Sequence, residues 1–123
     1  MQRTALRAAA DAQAVRRSGV EVILKNQSIG ERLASDAIRL GADALEAEYT
    51  DGYEQVFAVK NGLGHGIARF VSSTPEAALL RHELHSAARR RRRMTVDGRQ
   101  YELRGRVYES FGEDAFRVEL RSV

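Results

Sequence analysis

Met94-Thr-Val-Asp-Gly-Arg-Gln-Tyr-Glu-Leu-Arg-Gly-Arg-Val-Tyr108, followed shortly by Ala115-Phe-Arg-Val-Glu-Leu-Arg121, decides how this chain is read. Apolar and charged residues alternate in both stretches, the period of a strand with one buried and one wet face. Asp97-Gly98 stands between two such runs. Both central positions of a tight hairpin turn favour positive φ, and Asp-Gly supplies residues that tolerate it. The C-terminal part therefore predicts a β meander. It is entered through five consecutive arginines, Arg89, Arg90, Arg91, Arg92 and Arg93. A meander behind a block of positive charge points to a binding or assembly module more than to a catalyst.

Upstream, Ser73-Thr74-Pro75-Glu76 is a helix start: a hydroxyl cap, proline at the first helical position and an acid in the first turn. The spacing predicts a helix near 75–90 with Ala78, Leu79, Leu84 and Ala88 toward the core. Adjacent like charges should fray it within the arginine run. Before it, Tyr53–Lys60 and Ile67–Val71 read as strands, and Asn61-Gly-Leu-Gly-His-Gly66 as a flexible loop between them. Asp51-Gly52 marks another turn. Residues 44–50 alternate as a strand, and Ser28 with Glu31 forms a capping-box pattern opening a helix near 29–39. One helix from 29 to 47 is the competing reading. An N-terminal helix is expected within 1–18, because alanine favours helix and Ser18-Gly19 ends it, with a short strand at Val20–Leu24. The expected class is α+β, mainly β, in a single domain over 1–123.

The chain has 123 residues, 43% of them hydrophobic and 30% charged, as an ordinary soluble domain does. It contains no cysteine, which excludes disulfide and thiolate chemistry. No apolar run approaches the ~20 residues of a membrane-spanning helix. Met1-Gln-Arg-Thr-Ala-Leu-Arg lacks the apolar core of a secretory signal, so a cytosolic origin is expected. The net charge is only +3, yet it is segregated: residues 26–60 carry −4, residues 89–106 carry +6 and residues 107–123 carry −2. Such polarity can steer a polyanion, or let one copy's acidic surface meet another's basic surface. Eighteen of the twenty cations are arginine, whose fork binds phosphate and carboxylate alike.

Arg89–Arg93 accordingly has three readings: a phosphate-binding patch, a solvated helix end complementing the helix dipole, or a contact with the acidic segment of a neighbouring copy. Aromatic residues of the kind that stack single-stranded bases are not interleaved with it. Glu46, Glu48, Asp51 and Glu54 are the candidate acidic contact; their alternation is that of a strand's wet face. His82-Glu83-Leu84-His85 departs from the zinc-protease signature, which needs histidines at i and i+4. The Gly62–Gly66 stretch fits neither the dinucleotide fingerprint nor the P-loop, and His65 has no visible acid or nucleophile partner. No nucleophile–base–orienter set stands out. The expectation is a protein that is not an enzyme, with no catalytic residue, cofactor or metal.

The order of features over 44–121 resembles small head–tail joining (connector) proteins of tailed bacteriophages. Leu45-Glu-Ala-Glu-Tyr-Thr-Asp-Gly-Tyr-Glu-Gln-Val-Phe57 is similar to their strand, acidic-aromatic turn and Val-Phe strand. Arg69-Phe-Val-Ser-Ser73 is similar to the strand that follows. Met94–Arg104 resembles their closing Thr-Val-Asp-Gly hairpin, and Phe111-Gly112 with Phe116–Leu120 their final strand. The helix from Thr74, the arginine run and residues 26–43 exceed the family's usual pattern. The resemblance implies a small antiparallel β barrel or sandwich with helical additions. It implies a structural virion protein, made in the host cytoplasm. Its copies would form a ring between portal or adaptor and tail proteins, with genomic DNA passing through the lumen. A small basic nucleic-acid-binding module is the alternative.

Overall fold

The computed structural model describes residues 28–123; the helix expected within 1–18 and the strand expected at 20–24 lie outside the described residues. Ser28 caps helix α1 (Ile29–Arg39): its Oγ accepts from the Glu31 N–H at 3.0 Å, and the Glu31 carboxylate accepts from the Ser28 N–H at 3.3 Å. This is the reciprocal capping box, which satisfies two donors the helix cannot use internally. The helix stops before Gly41, whose φ of +81° is the left-handed conformation glycine adopts without penalty. The single helix over 29–47 is therefore not formed, and strand β1 (Ala44–Thr50) begins three residues later.

Strands β2 (Tyr53–Lys60) and β3 (Leu63–Val71) follow β1 as hairpins. Helix α2 (Pro75–Arg89) comes next, then β4 (Arg92–Val96), β5 (Arg99–Ser110) and β6 (Glu113–Ser122). All six strands lie in one antiparallel sheet of order β3-β2-β1-β6-β5-β4. The class is α+β, mainly β, as the alternation predicts. Among the described residues the sheet does not close into a barrel: β3 and β4 are its opposite edges, and its second layer is helical. The loop expected over 61–66 shrinks to the turn Asn61-Gly62, because Leu63–Gly66 pair with Phe57–Lys60. The Phe57 side chain packs beside Gly64, 3.6 Å from where a Cβ would stand, an ordinary van der Waals separation. A register shift opposite Val56 and Phe57 absorbs Ile67 as a bulge.

One sheet face buries its side chains under the helices. Leu45, Ala47, Val56, Ala58, Leu103, Phe116, Val118 and Leu120 meet Leu33, Ala34, Ala37, Leu80 and Leu84. Burying each large member contributes roughly 1.5–3 kcal/mol. On α2 the core stripe is Ala77, Leu80 and Leu84: Leu84 is buried as expected, whereas Ala78 and Leu79 are exposed and their neighbours Ala77 and Leu80 take the core positions. The cap sets this phase: Thr74 Oγ1 accepts from the Ala77 N–H at 3.2 Å and donates to the Val71 carbonyl at 2.7 Å, which turns Ala77 inward and leaves Leu79 48% exposed. Glu83 ties the helices together, its Oε1 accepting the Gly30 N–H at 2.6 Å.

Where α2 crosses β5 the backbones nearly touch. A Cβ on Gly105 would lie 2.9 Å from the Ala87 carbonyl carbon and oxygen, so only glycine fits without moving the helix.

Candidate interaction site

The arginine run does not continue the helix. Arg89 sits in the last turn of α2, Arg90 caps it in extended conformation (φ −152°, ψ 130°), and Arg92 and Arg93 enter edge strand β4. The chain thus turns a corner, and alternation sends the guanidinium groups different ways. Arg92 donates to Ser86 Oγ at 3.2 Å, and Arg91 lies 3.5 Å from a Glu102 carboxylate oxygen. Arg89, Arg90, Arg92 and Ser86 line an open cavity of about 410 Å³ with no carboxylate in its wall among the described residues. All five arginines are exposed. The lining can accept a carboxylate or a phosphate through charge-assisted bonds.

The four expected acidic contacts divide. Glu54 is 4% exposed and faces the helices, where Arg81 at 3.0 Å and the Ser72 hydroxyl at 2.9 Å hold its carboxylate. It is committed to joining β2 to α2, because on this strand 54, 56 and 58 form the inward set. Glu46 and Glu48 lie on the open face, and Asp51 occupies the β1–β2 turn at φ +52°.

That open face is a field of cross-strand charge. Glu46 stands directly opposite Arg117 and accepts from it at 2.6 Å, with both side chains 27% exposed. Arg117 in turn faces Arg106 on β5, so one carboxylate offsets two neighbouring cations. Glu46, Arg106, Tyr108, Arg117 and Glu119 wall a shallow depression of about 540 Å³. Partial burial, and then the nearby charges of Glu46 and Glu48, push the Tyr108 phenol above its ordinary pKa. Arg69 stacks over the Tyr53 ring at 4.0 Å, a cation–π contact.

The three histidines are dispersed. His65 is on β3 and His82 is exposed on α2. His85 sets its ring edge-on to Phe116 (centroids 4.9 Å, 88°), with Nε2 3.4 Å from Asp114. Among the described residues no three His, Asp or Glu groups are placed to share a metal ion, and no helix is long and apolar enough to cross a membrane.

Two features escaped the linear reading. The first is the polarity of the sheet. Strand register puts Asp51, Glu109, Glu113 and Asp114 at one end, and Arg92, Arg93 and Arg99, together with Asp97 and Glu102, at the other. Running charges by sequence segment hides this, because β5 carries both groups. The second is the unequal support of β5. Its pairing with β4 ends at Leu103, so Gly105, Val107 and Glu109 have no partner strand on that side among the described residues. The Val123 N–H donates to the Gln100 carbonyl at 3.0 Å, which fixes the even-numbered backbone groups of β5 toward β6 and the odd-numbered ones outward. Counting residues before and after the two turns would have found this: five against twelve on the first hairpin, with the longer strand overrunning.

The chain matches no protein-family model, and no curated protein matches it at a significant level.

Proposed function

We propose that this chain is a structural virion protein that forms a ring at the head–tail interface of a tailed phage, joining capsid and portal to tail and leaving a lumen for DNA. The resemblance of residues 44–121 to head–tail joining proteins supports this reading. The observation that carries it is the opposite charge at the two ends of one sheet: carboxylates around Asp51 and Glu109–Asp114, arginines around Arg89–Arg93. Identical copies meeting acidic end to basic corner make a heterologous contact, which closes into a ring when the rotation per copy permits. A helix-backed sheet suits that role, since it holds both ends at a fixed separation while portal and tail proteins take other surfaces.

The test is to purify tailed particles from cells making this chain, label them with an antibody against it and image them. Label confined to the junction of head and tail is expected. Particles that carry no copy of the chain would overturn the reading.

A second reading, a small basic nucleic-acid-binding module, is favoured by one observation: three arginines line a cavity without a carboxylate. It predicts duplex binding whose affinity falls steeply with salt, and a shallower slope when Arg89, Arg90 and Arg92 become Ser. Absence of binding at low salt would end it.

A further inference from the structure

Four hairpin turns in this sheet share one backbone. Each has two residues at positive φ: Asp51-Gly52 (52°, 86°), Asn61-Gly62 (53°, 81°), Asp97-Gly98 (50°, 82°) and Phe111-Gly112 (52°, 80°). Three place Asp or Asn first, the residues that tolerate the left-handed region through local hydrogen bonding. The fourth places phenylalanine, which gains nothing there, and exposes it completely (103%). A bulky residue at positive φ is an outlier, and such strain clusters at ligand clamps and switch regions. Glu109 and Glu113 stand one on each side of this tip.

The complementary feature lies at the far end of the same hairpin. Between α1, α2 and the sheet is a cavity of about 190 Å³ walled mainly by Ala34, Leu45, Leu84, Leu103 and Val118. It is smaller than the roughly 300–1,000 Å³ of a drug-sized ligand site, and of a size for one aromatic ring. Glu31 and Glu83 border it, but each carboxylate already accepts a backbone N–H, from Ser28 and from Gly30. Arg92 belongs to its wall and also to the wall of the three-arginine cavity, so the apolar hole and the cationic hole adjoin.

We propose that Phe111 of one copy inserts into this apolar cavity of a second copy, with Glu109 and Glu113 meeting Arg89, Arg90 and Arg92 around it. The tip offers an aromatic ring between carboxylates; the corner offers an apolar hole beside guanidiniums. Phe111 cannot reach the cavity of its own copy. Leu103 in the cavity wall and Phe111 are eight positions apart along β5 and its turn, about 26 Å at 3.3 Å per residue. The contact is therefore heterologous, tip to corner. It rests on the ring reading only in its premise that copies meet one another, and it names the surfaces that do so.

The absence of native cysteine makes disulfide trapping the direct test. Full-length Glu113→Cys is mixed with full-length Arg89→Cys under mild oxidation; both positions are exposed and neither is in the core. Leu79→Cys, on an exposed part of α2 away from the corner, replaces Arg89→Cys as control. Efficient cross-linking of the first pair is expected, well above the control. Adding Phe111→Asn to the Glu113→Cys chain should lower the yield about tenfold or more, the factor one buried phenylalanine ring is worth. A yield equal to the control, or one indifferent to Phe111→Asn, would overturn the contact. In the second case the copies still associate, and the ring reading stands. Particles without label at the junction would overturn the ring reading and leave this contact in place.

Discussion

Strand β5 is one element with two unlike halves. Its first half, Arg99–Leu103, is paired on both sides from Gln100 onward and buries Leu103. It leaves a turn whose Asp97 suits positive φ and also receives Arg39 of α1 at 3.2 and 3.5 Å. Its second half, Arg104–Ser110, has only β6 beside it among the described residues and exposes Val107 and Tyr108. It ends in a turn that phenylalanine disfavours. Every local choice in the first half agrees with folding, whereas the second half sacrifices local stability repeatedly. The tip-to-corner contact proposed above would supply the missing contacts only on assembly.

The contrast can be broken most strongly at its midpoint. Gly105 lets α2 lie across the second half of β5, and a side chain there would meet helix backbone, which cannot give way as a flexible side chain can. Gly105→Val should destabilise the protein by about 1–3 kcal/mol in urea unfolding, the usual cost of overpacking. An unchanged unfolding midpoint would mean that α2 is not held against this half.

The two turns provide the sharper comparison, because the account predicts opposite signs. Asp97→Ala loses both the tolerance of positive φ and the Arg39 partner, and should cost about 1–2 kcal/mol. Phe111→Asn relieves a similar penalty at the other tip and should raise the melting temperature of the isolated chain. At a concentration where neither protein associates, a fall in melting temperature for Phe111→Asn would show that the ring is packed within the chain, against its full exposure.

The smallest effect is expected at Tyr108. Burial and then Glu46 and Glu48 raise its pKa, so the native state favours the neutral phenol. The sign follows by linkage: this contribution is fully present below the unfolded value of about 10 and is lost as pH rises through the higher folded value. Stability of the native protein should therefore fall more between neutral and strongly alkaline pH than that of Tyr108→Phe. Equal losses would place the phenol in open solvent.

Much of the fold was legible because local chemistry and tertiary structure agree. Asp97-Gly98, Thr74-Pro75 and Ser28–Glu31 each fix a backbone conformation through their own side chains, so the turns and caps need no distant partner. Legibility failed where a distant neighbour decides. Leu63–Gly66 have the composition of a loop, and only pairing with β2 makes them a strand. Leu79 looks like core until the cap turns Ala77 inward instead. Glu54 alternates with Glu46 and Glu48 in composition, yet strand phase carries it to the opposite face, onto Arg81. Of the candidate site, the arginine run was visible as a run. Its division between a helix end, a cap and an edge strand depends on where β4 pairs, which the sequence does not encode locally. Phe111 was visible as a letter, but its exposure and its φ are properties of the folded hairpin.

Complementation of two defective chains tests the tip-to-corner contact most directly. One chain carries Phe111→Asn, with an intact corner; the other carries Arg89→Ser, Arg90→Ser and Arg92→Ser, with an intact tip. Each alone should sediment as a monomer where the unaltered protein associates. Their mixture has one working tip and one working corner, so it should form a 1:1 dimer that grows no further. A mixture that remains monomeric, or single variants that associate like the unaltered protein, would contradict the account.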